Sequence, residues 1–185
     1  MLFHGAAQAQ FFLTGLGGSA AVTNTAAASA TPLPSASNYD AKLGRAASIS
    51  PGYHINDWFS VQGVYIWNRN RITVSELSGG ILRVSETMET QHALGADLMV
   101  YFRPRSSFLR PYLSAGPAIV HSLNQNRPGL RVAVGADLKL GKKGWGVRYT
   151  FSEMMSSNPY GMALHPPSAG RLMNFQNLVG VTKTF

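Results

Sequence analysis

The residues that could do chemistry in this chain are few and badly placed for catalysis. The five histidines, His4, His54, His92, His121 and His165, are scattered without ligand spacing, and there is no cysteine. Neither an imidazole cluster nor a thiolate set therefore points to a metal. Gly15-x-Gly17-Gly18 does not lead from a strand into a helix, so it is no phosphate loop. No carboxylate pair has the setting of a glycosidase. Ser156 and Ser157 follow two methionines, and a serine without a positioned base is a poor nucleophile. No catalytic, cofactor-binding or metal-binding residue is predicted, and the chain is not read as an enzyme. The groups with electrostatic work to do are Asp97, Asp137, Lys139 and Arg148. The tetrapeptide Gly-Ala-Asp-Leu occurs twice, at 95–98 and 135–138, and sets an aspartate next to a small residue each time.

What positions these residues is a series of alternating segments. Residues 130–140 put Leu130, Val132, Val134, Ala136, Leu138 and Leu140 on one face and Arg131, Ala133, Gly135, Asp137 and Lys139 on the other. Residues 145–152 repeat the pattern, with Trp145, Val147, Tyr149 and Phe151 against Gly146, Arg148, Thr150 and Ser152. A period of two is the signature of a strand with two unlike faces. Eight such segments are predicted: 10–17, 38–55, 58–74, a long one ending at Phe102, 108–122, 129–140, 145–151 and 171–185. Tight turns are expected at Asn56-Asp57, 103–107 and 141–144. Longer connections are expected at 18–37, 75–82, 123–128 and 153–170. Residues 1–9 read as the remnant of a signal peptide, or a disordered tail, before a single domain at 10–185.

Composition narrows the class. Charged residues are 13% of the chain, about half the usual share. No apolar run is long enough for a transmembrane helix. The formal charge is +8, but the cations are dispersed, which argues against nucleic acid and suits anionic lipid headgroups. A soluble, lipocalin-like ligand-binding barrel would turn the apolar faces inward and leave strand glycines on its surface, where they have little use. A membrane barrel inverts the faces, so that apolar residues meet lipid and a narrow lumen takes small residues and paired charges. In that arrangement Asp97, Asp137, Lys139 and Arg148 form a lumen charge network, because a buried carboxylate needs a cationic partner. Trp58, Phe59, Tyr101, Phe102 and Trp145 cluster beside the short turns, as an interfacial aromatic girdle would.

At this point the chain resembles a known family, the small outer-membrane β-barrels of the OmpA/OmpX transmembrane type. Three places carry the likeness. Residues 174–185, Asn-Phe-Gln-Asn-Leu-Val-Gly-Val-Thr-Lys-Thr-Phe, look like that family's closing strand with its terminal Phe. Arg110-Pro-Tyr-Leu-Ser-Ala-Gly116 is similar to a mid-barrel strand, and Gly52-Tyr53-His54 with Trp58 fits a hairpin. Lys183 and Asn177 depart from the apolar residues usual there. The likeness spans roughly residues 38–185. It implies that Phe175, Val179, Val181 and Phe185 form the signal strand read by the barrel-insertion machinery. Lipid A deacylases among such barrels carry a His-x-Ser-Asn motif. Here Ser156-Ser157-Asn158-Pro159 has Met154 or Met155 where the base should be, so a lipid-modifying enzyme is the alternative and not the reading.

The expectation is therefore an all-β, eight-stranded antiparallel up-and-down transmembrane β-barrel in the bacterial outer membrane, with both termini periplasmic. Its partners are outer-membrane lipid and lipopolysaccharide, the insertion machinery, and an extracellular or envelope protein reached through the loops at 20–37 and 153–170. No cofactor and no nucleic acid are expected. An eight-stranded lumen is filled by side chains and is no open pore.

Overall fold

The computed structural model describes residues 10–23, 27–30, 35–78, 81–141, 143–157 and 171–185. All the regular structure in them is strand: β1 (Gln10–Val22), β2 (Ala27–Ala30), β3 (Ser35–Ala41), β4 (Gly44–His54), β5 (Phe59–Ser78), β6 (Ile81–Tyr101), β7 (Leu109–Ser122), β8 (Gln125–Leu140), β9 (Trp145–Ser157) and β10 (Arg171–Thr184). Eight of them close a ring in the order β5-β4-β1-β10-β9-β8-β7-β6, and β6 returns to β5. Every pairing is antiparallel. Closure is what removes the unpaired strand edges that an open sheet would expose.

Three connections at one end of the barrel are short, and local chemistry accounts for two of them. In the β4–β5 link the Asn56 side chain accepts hydrogen bonds from the Trp58 and Phe59 amides, both at 2.8 Å. That Asx-type bonding substitutes for strand pairing through the reversal. The β8–β9 link places Gly141 and Gly144 at φ of 68° and 73°, a region that L side chains avoid. The first strand starts and the last ends at this same turn end, where the Phe185 amide donates to the Phe11 carbonyl at 2.9 Å.

At the opposite end the strands run further than the sequence suggests. The residues 18–37 expected as a loop instead extend β1 to Val22 and supply β2 and the start of β3. Before residue 42, β3 leads into the line of β4 against β5, pairing Ala36–Ala41 with Leu77–Ile72. The connection expected at 75–82 is taken up by β5 and β6, whose ladder reaches Ser78 opposite Ile81. The polar link at 123–128 is a two-residue turn, with Leu123 and Asn124 at φ of 48° and 56°. Two consecutive positive φ values are what a type I′ hairpin turn demands, and leucine is a poor advertisement for one. The last expected loop is shortened by β9, which reaches Ser157. Residues 158–170 and 1–9, with the signal-like segment, lie outside the described residues.

The alternation seen in the sequence decides which way each side chain points. Along β8, Leu130, Val132 and Val134 are exposed, whereas Arg131, Ala133, Gly135 and Asp137 are buried. Burial alternates likewise on β1, β4, β5 and β7, with Ile49, Tyr53, Leu113 and Ile119 outside, although the inner faces of β1 and β5 also carry Phe12, Leu16, Val64 and Ile66. The apolar faces are therefore outside, and the soluble lipocalin-like alternative is overturned, because it needs them inside. The stretch from Leu130 to Leu140, at a ~3.4 Å rise and ~40° tilt, covers about 26 Å. That matches the roughly 25 Å apolar band of outer-membrane barrels.

Candidate functional site

The interior is built from polar and small residues with four apolar patches between them. Thr14, Ser48, Ser50, Ser60, Gln62, Ser114, Thr150, Ser152, Gln176 and Thr182 are all buried there. Asp97, Asp137, Arg110, Arg131 and Arg148 are buried with them, and two aspartate–arginine pairs form. Asp137 on β8 lies directly opposite Arg148 on β9 in the hairpin register. The Arg148 Nε donates to Asp137 Oδ1 at 2.5 Å and its Nη2 donates to Oδ2 at 2.7 Å. This is a bidentate fork, the geometry in which guanidinium and carboxylate fit best. The Tyr101 hydroxyl donates to Asp137 Oδ2 at 2.9 Å and accepts from Arg148 Nη2 at 3.0 Å.

From there the network crosses the lumen. The third arm of Arg148, Nη1, donates to Gln62 Oε1 at 3.2 Å on β5. Gln62 Nε2 in turn donates to Asp97 Oδ2 at 3.1 Å, and Ser114 Oγ donates to the same oxygen at 3.2 Å. Asp97 is ion-paired with Arg131. Tyr101, Asp137, Arg148, Gln62, Asp97, Ser114 and Arg131 thus join β5, β6, β7, β8 and β9 through the interior. The aromatic rings of Phe12 and Tyr112 lie 5.1 and 5.2 Å from the Arg148 guanidinium carbon. Charges enclosed this way are compensated by each other and by rings, in place of water.

Three of the four residues expected in this network are in it, and one is not. Lys139 shares the Asp137 face but sits at the turn-end mouth, exposed. Its strand face follows the alternation, while its level along the barrel puts it at the mouth. Asp97 takes Arg131, a residue on the expected face that had been given no partner. The reason is geometric. Gly116 on β7 stands opposite Arg131, and its nearest β6 backbone is Ala96 and Asp97. With no side chain between them, the Asp97 and Arg131 side chains meet over the glycine. A Cβ at Gly116 would overlap the Ala96 carbonyl and lie 2.9 Å from the Asp97 Cα. Gly116→Ala is expected to cost about 1–3 kcal/mol, read as a lower urea midpoint for unfolding from lipid vesicles. An unchanged midpoint would mean that β6 and β7 can part here freely.

The aromatic residues divide. Trp58, Phe59, Phe102 and Trp145 are exposed at the turn end, with Phe185 beside them. Tyr101 is a correction: it is 1% exposed and faces the lumen. It precedes Phe102 by one residue, so a strand must turn it to the other face. Phe175 is half-buried, and Val179, Val181 and Phe185 are exposed on the outer surface of β10. Ser156 is buried and its hydroxyl donates to the Ser157 carbonyl at 3.3 Å. His54 is bonded to Ser60 near the turn end, His92 to Tyr65 and His121 to Asn126. His4 and His165 lie outside the described residues.

Comparison with known proteins places this geometry. A family model described as "Outer membrane protein beta-barrel domain" matches residues 1–165. The chain belongs to the outer-membrane β-barrel domain family. The match takes in the Ala- and Ser-rich stretch before residue 38 and stops short of β10, so it covers a different span from the 38–185 on which the sequence resemblance rests. Solved structures with the same fold include neisserial surface protein A, at 16% identity, TM-score 0.61, covering 95% of this chain and 97% of that one. They also include OprG of Pseudomonas aeruginosa, at 14% identity and TM-score 0.64, with 98% of each chain covered. A third is AlkL, at 14% identity and TM-score 0.61, covering 100% and 94%. No curated protein sequence gives a significant match. Like its family, the chain is an eight-stranded transmembrane barrel of the outer membrane. Its exposed apolar band is the lipid-facing wall.

Proposed function

We propose that this barrel is a closed outer-membrane module with a structural or surface-interaction role, with a lumen too full to conduct. The observation that carries this reading is the buried network from Tyr101 to Arg131, which spans five strands through the interior. A channel would need those charges solvated and apart. In planar bilayers of neutral lipid the purified protein is expected to give no stable conductance steps. Discrete, long-lived open levels would overturn the closed-lumen reading.

The projecting end supports a surface-interaction role. Up to Gln91, β6 has no partner strand on its β7 side among the described residues, because the β6–β7 ladder begins at His92. Ile81, Leu82 and Val84 are exposed there, 61–64% of each surface. An extracellular or envelope protein is the partner that such an end suits, and lipopolysaccharide and phospholipid are the partners of the wall. In this reading both termini are periplasmic. An epitope at Gly79-Gly80 is then expected to be labelled on intact cells, and an N-terminal epitope only after permeabilisation. The reverse labelling would invert the orientation.

Phe175, Val179, Val181 and Phe185 supply the signal strand for the insertion machinery in this reading. Phe185→Ala is expected to leave a several-fold smaller heat-modifiable fraction in cell membranes. Refolding from urea into vesicles, where no machinery acts, is expected to change little. Equal defects in both assays would make Phe185 a stability residue and not a signal.

A further inference from the structure

Five cationic side chains converge on the mouth at the turn end. Arg105, Arg110, Lys139, Lys143 and Lys183 line a cavity of about 530 Å³, with Asp137 at its inner side. Both Asp137 oxygens are already occupied, by Arg148 and Tyr101. Arg105 is held by Asp57 at 2.9 Å. That leaves Arg110, Lys139, Lys143 and Lys183 facing one cavity, an excess of positive charge. Arg110 is buried and fixed, since its Nη2 donates to the Asp57 carbonyl at 3.0 Å and its guanidinium lies 3.8 Å from the Tyr101 ring centre. Lys183 is likewise set, over the Trp145 ring at 5.1 Å and bonded to the Lys143 carbonyl.

Like charges gathered in a concave, partly dry site repel one another unless an anion joins them. We propose that this mouth is an anion site for a phosphate group, whether from a lipid headgroup or from a phosphorylated solute. Phosphate fits because its oxygens can take several charge-assisted bonds at once from ammonium and guanidinium donors. The rim favours neither source over the other: Trp145 and Phe185 suit a headgroup at the membrane interface, and the water-facing opening admits a solute. The site is also what Lys139 does in place of the lumen pairing that its strand face suggests.

The test uses the full chain, refolded in a phosphate-free maltoside detergent, with amide NMR shifts as the readout. The probes are inorganic pyrophosphate, and separately phosphatidylglycerol doped into the micelles. The amides of Gly144, Gly146 and Thr184 are expected to move saturably with at least one probe. Salt should weaken the effect, since Debye screening is strong above ~0.1 M. In Lys139→Gln/Lys143→Gln the apparent affinity is expected to fall roughly tenfold. Lys42→Gln, whose exposed cation is remote from the mouth, should be unaffected. A response to pyrophosphate alone assigns the site to a solute, a response to the lipid alone assigns it to a headgroup, and both support the shared chemistry. No saturable shift with either probe, or equal affinity in the double variant, overturns the proposal.

Discussion

Arg148→Met is expected to destabilise the barrel by about 3–5 kcal/mol, the largest loss of any single lumen substitution. Arg148 is 2% exposed, and it bonds Asp137, Tyr101 and Gln62 together. Deleting it leaves the Asp137 carboxylate, at the inner side of the mouth, with one hydroxyl donor and without its ion-pair partner, and breaking a buried pair costs more than the pair ever contributed. The measurement is urea-induced unfolding from phosphocholine vesicles, followed by tryptophan fluorescence and by the gel-shift of unheated samples. Asp137→Leu/Arg148→Met should recover most of the loss, because replacing both partners with apolar groups removes the stranded charge. Arg148→Lys is expected to recover little, since an ammonium cannot make the two parallel bonds to Asp137 or reach Gln62 as well. If the double variant is as unstable as Arg148→Met, the pair is not the source of the effect, and the packing of Arg148 between Phe12 and Tyr112 is.

Much of this could be read in the residues, and what was missed has physical causes. Strand faces are legible because a period of two sorts each residue without knowledge of its neighbours. That was enough to put Asp97, Asp137 and Arg148 inside and the leucines and valines of β8 outside. It also contained the position of Tyr101, which shares the face of Asp97 and Met99. Proximity to a turn then suggested an interfacial role for Tyr101 that the pleat forbids. Depth is harder, because in a tilted barrel the level of a residue depends on the stagger of every strand between it and a reference. Hence Lys139 was placed beside Asp137 in the lumen although it emerges at the mouth. Arg131 went unpaired for the same reason: its contact with Asp97 depends on an intervening glycine two strands' registers must align. Strand ends were the least legible. The extension of β5 and β6 to Ser78 and Ile81 is held by a long ladder and by β3, not by apolar alternation. The β7–β8 turn uses Leu123, which no turn preference would select.

The wall can be tested as directly as the lumen. Val134 lies near the middle of the Leu130–Leu140 stretch, is 47% exposed, and is flanked in register by Leu113 of β7 and Phe151 of β9. Val134→Arg is expected to lower folding stability in vesicles by about 2–4 kcal/mol, the cost of an arginine at the bilayer midplane. Val84→Arg is the matched control. Val84 is more exposed, at 61%, but it sits on the part of β6 beyond the β7 ladder. There the side chain meets water, and the change should stay within about 0.5 kcal/mol. The contrast separates two kinds of exposed valine that accessibility alone ranks the wrong way round. A surface surrounded by water would treat the two substitutions alike, whereas a lipid-facing band charges for one of them. The size of the difference also measures how deep β8 sits. Moving the arginine to Leu130 or Leu140 should reduce the penalty to about 0–1 kcal/mol as the side chain reaches an interface. A flat profile along Leu130, Val134 and Leu140 would mean that this face is not the one spanning the hydrocarbon.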